Sequence, residues 1–172
     1  AVIAMPLAGV EINRHGSRNV TLAAAVCFFL FVALPAFAPT FTLFVLAGIA
    51  FGAATGTMDV AMNAHGIAVE RALRKPVMSS LHGGFSIGGL IGAGSAAFLL
   101  PWLGEAGHIA LVAAVTLTAL VFCRPYLLPA SVDKGLSGTH FGWPTKATIG
   151  LGLLCFLALM SEGAVLDWSA LF

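Results

Sequence analysis

Charged residues are scarce in this sequence. Only 9% of its 172 residues are Asp, Glu, Lys or Arg, and the mean hydropathy is +1.01. A soluble domain usually carries about 25% charged residues because its surface faces water. The composition therefore excludes a soluble globular protein. The eight basic residues are also too few and too dispersed for a nucleic-acid-binding surface.

Cysteine is equally rare, and its spacing predicts neither a metal site nor a redox site. The three cysteines lie singly in apolar runs, where we expect them to be small packing residues: Cys27, Cys123 and Cys155. The histidines are scattered along the chain and lack the spacing of metal ligands. We therefore expect no metal and no cofactor.

Long uncharged runs fill most of the chain. Runs of 15 to 28 residues are too long for the strands of a membrane barrel, which have about 9–11 residues, and they suit membrane helices of about 20. We predict these spans at residues 20–37, 41–66, 77–104, 109–123 and from 147 onwards. Both ends of the chain lie in apolar runs, so we expect a fragment of a longer protein.

The few basic residues are confined to three segments between these runs. They are Arg14 and Arg18; Arg71, Arg74 and Lys75; and Arg124, Lys134 and Lys146. The intervening junctions, at 39–40 and 104–107, contain no basic residue. Basic residues at alternate junctions are typical of a multi-pass membrane protein whose basic loops lie in the cytoplasm.

Two glycine series indicate how the helices pack. In each series a glycine recurs every four residues: Gly48, Gly52 and Gly56 in one helix, and Gly84, Gly88 and Gly92 in the next. Residues four apart share a helix face, and small ones let two backbones approach closely. We expect close helix packing, and an interface that moves during transport would use the same feature.

Asp59 is the most informative residue for predicting the function. It lies about 27 Å along its helix from Phe41, near the bilayer midplane, where a carboxylate costs at least ~2.5 kcal/mol. Thr55 and Asn63 lie four residues to either side, so the three residues form a polar stripe on one helix face. Two interpretations stay open. Asp59 is either neutralised by hydrogen bonds between helices or part of a substrate or proton site, which we favour.

Other polar residues are weaker candidates. His82, in the next helix, suits proton coupling, with a hydrogen-bonded interhelical histidine as the equal alternative. Glu162, about 22 Å along the last helix, is a candidate for the outer half of a cavity, and Asp167 lies near the water boundary. His65 lies near the inner boundary, where we expect a packing or interface residue.

The segment Gly84–Gly88 contains the pattern G-x-S-x-G around Ser86. A nucleophile elbow requires a strand–turn–helix setting, whereas this segment lies in a predicted membrane helix. We therefore do not expect an enzyme. An intramembrane serine hydrolase stays the alternative that Ser86→Ala would test.

Residues 9–18 resemble the signature loop of the major facilitator superfamily, which joins the second and third helices of these transporters. The family pattern is G-x-x-x-D-R-x-G-R-[RK], and the positions that match it are Gly9, Arg14, Gly16 and Arg18. Asn13 stands where the family has Asp, and Ser17 where it often has Arg. The resemblance implies a cytoplasmic gate loop that stabilises the outward-facing state, although Asn13 lacks the charge that is central to it.

Residues 58–71 and 79–88 resemble helices 4 and 5 of the fucose-permease-like branch, which contains sugar:proton symporters. In that branch an acidic residue on helix 4 is protonated during transport, and Asp59 stands at the matching place. His82 matches a polar residue of helix 5 that faces the sugar. The resemblance also implies a division of the chain. Residues 1–127 would run from the end of helix 2 to helix 6, 128–146 would link the two halves in the cytoplasm, and 147–172 would be helix 7.

We therefore expect an all-α membrane protein that forms part of a major facilitator superfamily bundle in a bacterial inner membrane. Its expected function is secondary transport of a small polar solute by alternating access, with a sugar as the suggested solute and protons as the coupling ion. Asp59 would accept the proton. The expected substrate-binding residues are Thr55, Asn63, His82, Glu162 and Asp167. A non-transporting scaffold or sensor and an inactive truncated copy are the alternatives.

Overall fold

The structure, a computed structural model, describes residues 3–133 and 145–168, which form helices and the turns between them. The five long helices are α1 (Ala4–His15), α2 (Ser17–Phe31), α3 (Phe41–Leu73), α4 (Met78–Cys123) and α5 (Lys146–Trp168). Short 3₁₀ turns lie at Leu34–Phe37, Arg124–Tyr126 and Ala130–Val132. No strand occurs within the described ranges, so the prediction of an all-α protein is confirmed.

The chain divides into two compact units, Ala1–Thr139 and His140–Phe172. The first contains α1 to α4, and the second contains α5. The predicted linker 128–146 includes residues 134–144, which lie outside the described residues. Its role as a connection between two halves of a transporter stays a prediction.

The described residues include four helical stretches that are long and apolar enough to cross a membrane. They are Ser17–Phe37, Phe41–Leu73, Met78–Tyr126 and Lys146–Val165. With 33 residues, α3 is about 50 Å long at 1.5 Å per residue. The hydrocarbon core of a bilayer is about 30 Å thick, so α3 can cross it completely. The protein is an integral membrane protein that crosses the bilayer several times.

α4 consists of two spans joined by a sharp reversal. Gly104 has φ +66° and ψ 175°, outside the helical region, and Pro101 precedes it by three residues. Glycine adopts a positive φ readily because it has no Cβ. Ser95 Oγ lies 3.3 Å from His108 Nε2, whereas a straight helix would separate residues thirteen apart by about 20 Å. Residues 78–103 and 105–123 therefore fold back on each other, as the sequence predicted.

The basic segments of the first unit meet at one end of its helices, here called the basic end. Arg18 Nη2, at the start of α2, donates a hydrogen bond to the carbonyl oxygen of Arg124, just after α4, at 3.0 Å. Near the end of α3, Glu70 Oε1 accepts hydrogen bonds from the amides of Val77 and Met78 at 2.7 and 2.9 Å. These contacts place both ends of α4 beside the α1–α2 junction and the end of α3.

Alanine forms most of the small-residue packing of α3, and the predicted glycine series forms little of it. The buried alanines of α3 recur every seven residues at Ala47, Ala54, Ala61 and Ala68. Such a repeat keeps one seam of the helix against its neighbour, which here is mainly α2. Gly56 is buried as well. Among the described residues, however, and apart from the nearby backbone of the same helix, no atom lies within 4 Å of the position of a Cβ at Gly48, Gly84, Gly88 or Gly92.

Candidate functional site

A hydrogen bond joins two members of the polar stripe on α3. Asn63 Nδ2 donates to Asp59 Oδ1 at 3.1 Å and to the Asp59 carbonyl oxygen at 2.8 Å. Thr55 Oγ1 donates to the carbonyl of Phe51, one turn earlier, at 2.9 Å. Asp59 and Thr55 are exposed, and Asn63 is partly buried. Within residues 3–133 and 145–168, no other helix donates a hydrogen bond to the Asp59 carboxylate.

The structure brings Asn63 and His82 to the wall of one cavity. The cavity has a volume of about 320 Å³ and lies between α2, α3 and the two ends of α4. Its wall is formed by Thr21, Met62, Asn63, His65, Gly66, Val69, Met78, Leu81, His82, Phe85, Tyr126 and Leu127. Thr55 and Asp59 are not in this wall. Asn63 therefore connects the cavity to Asp59.

The two acidic candidates of α5 belong to the second unit. Glu162 is exposed on that helix, six residues before its end at Trp168. The side chain of Asp167 lies outside the described residues. The contribution of these two residues to substrate binding stays a prediction.

The structure corrects the prediction of a gate loop, because this segment is almost entirely helical. α1 continues to His15 and α2 begins at Ser17, so only Gly16 interrupts the helices. Gly9, Asn13 and Arg14 lie within α1, and Arg18 lies within α2. The physical reason is that Pro6 lies in the first turn of α1, where proline is tolerated, and that the single Gly9 weakens a helix without ending it. Arg14 and His15 near its end also interact favourably with the C-terminal end of the helix dipole.

The side chains of this gate segment make few contacts with one another. Arg14 Nη1 lies 3.9 Å from Glu11 Oε1, and both side chains are largely exposed. Such a surface ion pair contributes little to stability. Asn13 Oδ1 is buried, and no hydrogen-bond donor reaches it within the part of the chain that the structure describes. Arg18 contacts another segment through its hydrogen bond to the carbonyl oxygen of Arg124.

Gly16 is required where the gate segment meets the turn at 130–132. Its φ of +81° and ψ of 149° lie outside the helical region. A Cβ at this position would stand 2.5 Å from the carbonyl oxygen of Ala130 and 2.8 Å from the Ala130 Cβ. The absence of a side chain at Gly16 therefore lets the segment after α4 pack against the α1–α2 junction.

Asp133 and His65 complete this contact. Both carboxylate oxygens of Asp133 accept from the amide of Ser17, at 3.1 and 3.2 Å. That amide is at the start of α2, where helix N–H groups lack intrahelical partners and a negative charge is favourable. His65 Nδ1 lies 2.8 Å from Ser17 Oγ, and His65 Nε2 accepts from the amide of Leu128 at 3.3 Å. We call Ser17, His65, Leu128 and Asp133 the basic-end cluster.

The hydrogen bonds define the protonation of the His65 ring. The Leu128 amide is a donor only, so Nε2 must be unprotonated to accept from it. In the neutral ring the proton is then on Nδ1, which donates to Ser17 Oγ. His65 is buried, in agreement with the packing role expected from the sequence. Neither Ser17 nor Asp133 was predicted, because Asp133 lies 116 residues beyond Ser17 and no motif links them.

Among the described residues, no group of three or more His, Cys, Asp or Glu side chains is arranged to hold a metal ion. The expected packing role of the cysteines fits Cys27, which is partly buried. It does not fit Cys123 and Cys155, which are exposed on their helices.

Three proteins are similar to the chain along its whole length. An uncharacterized MFS-type transporter of Yersinia pestis is 38% identical over 174 aligned residues, which cover 100% of this chain and 45% of that protein. An uncharacterized transporter of Sinorhizobium fredii is 31% identical, covering 100% and 46%. The membrane protein MosC of Rhizobium meliloti is 31% identical, covering 100% and 42%. The chain thus spans somewhat less than half the length of these relatives.

No protein-family model matches the chain. No solved structure gives a significant match.

Proposed function

We propose that this chain is part of a secondary transporter of the major facilitator superfamily, which moves a small solute by alternating access. Similarity to relatives named as transporters, one of them as an MFS-type transporter, supports this membership. The helices of the first unit and the two antiparallel spans of α4 suit a helical bundle of this kind. Because the chain covers less than half of each relative, the activity of the whole protein is part of the proposal.

The Asp59–Asn63 pair is the observation that carries the proposal. Asp59 lies in the middle of α3, where the chain has no other charged residue between Phe41 and Val69. A charged side chain at the centre of a bilayer costs at least ~2.5–3.5 kcal/mol, so it is retained where it faces a polar path or partner. Asp59 is exposed on the first unit and accepts a hydrogen bond from the stripe itself. This arrangement favours a water-accessible face over a lipid-facing one.

Each candidate residue has a role in the proposed cycle. Asp59 accepts and releases the coupling proton, and Asn63, hydrogen-bonded to it, responds to its charge. Thr55 and His82 contact the solute together with Asn63. Glu162 and Asp167, on α5, stay candidates for substrate binding. The basic end would face the cytoplasm of a bacterium, since basic residues favour that side.

Uptake by the full-length gene product in proteoliposomes tests the proton role. The first substrates to use are radiolabelled hexoses, fucose foremost, with and without an inward proton gradient. Wild-type uptake should accelerate with the gradient, and Asp59→Asn should lose this acceleration because an amide does not take up a proton. Glu105→Gln is the matched control, since it neutralises an exposed carboxyl at the α4 reversal. Gradient-driven uptake that Asp59→Asn leaves unchanged would refute the role of Asp59.

A further inference from the structure

The turn between α3 and α4 carries three of the eight basic residues of the chain. They are Arg71, Arg74 and Lys75, and all three are exposed. With Glu70 and Pro76 they line a shallow depression of about 310 Å³. At ~30 Å³ per water molecule this volume holds about ten waters, so a phosphate group fits without displacing a side chain. We call residues 70–76 the basic turn.

The acidic residue of the basic turn is engaged with the backbone. Glu70 Oε1 accepts hydrogen bonds from the amides of Val77 and Met78, at 2.7 and 2.9 Å. These amides lie at the start of α4, where the helix dipole favours a negative charge. Glu70 therefore stabilises the start of α4 and holds the turn in place.

The basic side chains of the turn have no ion-pair partner in the described part of the chain. The ion pairs found there all involve Glu11, on α1. No carboxylate oxygen of a described residue lies within 4 Å of the side-chain nitrogens of Arg71, Arg74 or Lys75. Three positive charges thus stand against the one negative charge of Glu70, and a bound anion would neutralise the excess.

Arg74 occupies a position where helices commonly end in glycine. Its φ of 53° and ψ of 35° are left-handed, and it is the one non-glycine residue with a positive φ among those described. Glycine or asparagine adopts this conformation at lower cost than arginine. Because the backbone gains nothing from an arginine here, the useful property of Arg74 is the positive charge of its exposed side chain.

The basic turn lies at the level of the lipid headgroups. The apolar span of α3 ends at Leu73, and Arg74 follows directly. Arg74 is about 22 Å along α3 from Asp59, the residue that we place near the midplane, and half of a bilayer with its headgroups measures about 20–22 Å. Basic residues immediately beyond a membrane-spanning helix are attracted to anionic lipids, and arginine binds phosphate through two parallel hydrogen bonds.

We propose that the basic turn binds the phosphate group of an anionic phospholipid, held by the side chains of Arg71, Arg74 and Lys75. An anionic headgroup keeps a net negative charge that these side chains neutralise, whereas in phosphatidylcholine the choline group offsets the charge of the phosphate. The bilayer presents the lipid phosphate at the level of the turn, which free phosphate in water lacks. This inference goes beyond the proposed transport and does not depend on it.

The test measures lipid binding to the full-length protein in detergent micelles by native mass spectrometry. Phosphatidylglycerol and phosphatidylcholine with the same acyl chains are titrated, with and without inorganic phosphate. Arg74→Gly removes the charge and relieves the backbone, whereas Arg74→Lys keeps the charge. Lys75→Gln removes a second exposed charge and keeps the backbone. Arg14→Gln is the matched control, because it removes an exposed positive charge at the same basic end, outside the basic turn.

We expect saturable binding of phosphatidylglycerol that Arg74→Gly and Lys75→Gln each weaken about fivefold, the effect of one basic residue near a lipid surface. Arg74→Lys should bind more tightly than Arg74→Gly, and Arg14→Gln should bind as wild type does. Phosphatidylcholine should bind more weakly than phosphatidylglycerol, and excess inorganic phosphate should leave phosphatidylglycerol bound. The unfolding midpoint of Arg74→Gly should equal or exceed that of wild type, which separates a loss of binding from a loss of the fold.

The inference is overturned if Lys75→Gln and Arg74→Gly bind phosphatidylglycerol as wild type does, or if Arg74→Lys binds no better than Arg74→Gly. Equal weakening by Arg14→Gln would assign the binding to the overall charge of the basic end and not to this turn. Equal binding of phosphatidylcholine would refute the preference for an anionic headgroup, and displacement by inorganic phosphate would assign the turn to free phosphate. The proton role of Asp59 is decided separately, by the transport assay.

Discussion

Replacement of Gly16 by alanine should destabilise the protein strongly. The φ of +81° and ψ of 149° at Gly16 lie in a region that costs other residues about 1–3 kcal/mol. The new Cβ would also stand 2.5 Å from the Ala130 carbonyl oxygen, and overpacking of this kind costs about 1–3 kcal/mol more. The sum is a loss of about 2–6 kcal/mol in the free energy of unfolding.

Gly9→Ala is the matched control for this prediction, because both glycines match the family signature. Gly9 lies inside α1 and is exposed, and apart from the nearby backbone of α1 no described atom lies within 4 Å of the position of its Cβ. Alanine in a helix interior is more stable than glycine by about 0.5–1 kcal/mol. Gly9→Ala should therefore leave stability unchanged or increased.

The assay is the unfolding of the purified full-length protein, titrated with a denaturing detergent and followed by circular dichroism. Gly16→Ala should shift the midpoint far below that of wild type, whereas Gly9→Ala should not. The double variant Gly16→Ala/Ala130→Gly should recover only part of the loss, since it removes the Ala130 Cβ and keeps the carbonyl oxygen and the backbone strain. Equal stability of Gly16→Ala and wild type would refute the packing of the turn at 130–132 on Gly16.

Three further predictions use the same unfolding measurement. Asp133→Ala should cost about 0.5–2 kcal/mol, because the Ser17 amide at the start of α2 loses its carboxylate acceptor; a variant as stable as wild type would contradict this contact. Gly104→Ala should cost about 1–3 kcal/mol through its positive φ alone, since no described atom crowds its Cβ position; no change would argue against the reversal of α4. Thr21→Val should raise the stability of the protein by up to ~1–3 kcal/mol, since it removes a buried hydroxyl that has no hydrogen-bond partner among the described residues; a loss of stability would mean that the hydroxyl has one.

The polar stripe was predictable from the sequence, and the cavity was not. Thr55, Asp59 and Asn63 share a face because helical geometry alone places residues four apart on one side, and the hydrogen bond between Asp59 and Asn63 agrees with this. The wall of the cavity combines residues of α2, of α3, of the start of α4 and of the segment after α4, and no local pattern links these four segments.

The gate segment shows that a sequence motif does not specify the conformation of the backbone. The assignment of these residues to a gate stays a prediction, and their description as a loop differs from the structure, because a motif gives residue identities and not backbone angles. The helix continues to His15, and Gly16 alone turns the chain. The contacts of Gly16, Ser17 and His65 with residues 128–133 join positions far apart in sequence, and no local pattern specifies them.

The sequence by itself determined the class of the protein, the number and approximate limits of its spans in the described part, and the reversal near Gly104. These features depend on the free energy of transferring each segment from water to lipid, and that free energy is a sum over neighbouring residues. Only the tertiary structure decided which faces meet: the alanine seam of α3, the basic-end cluster and the cavity beside Thr21. Those depend on the rotation of each helix about its own axis, and that rotation is set by packing against other helices, which hydropathy does not record.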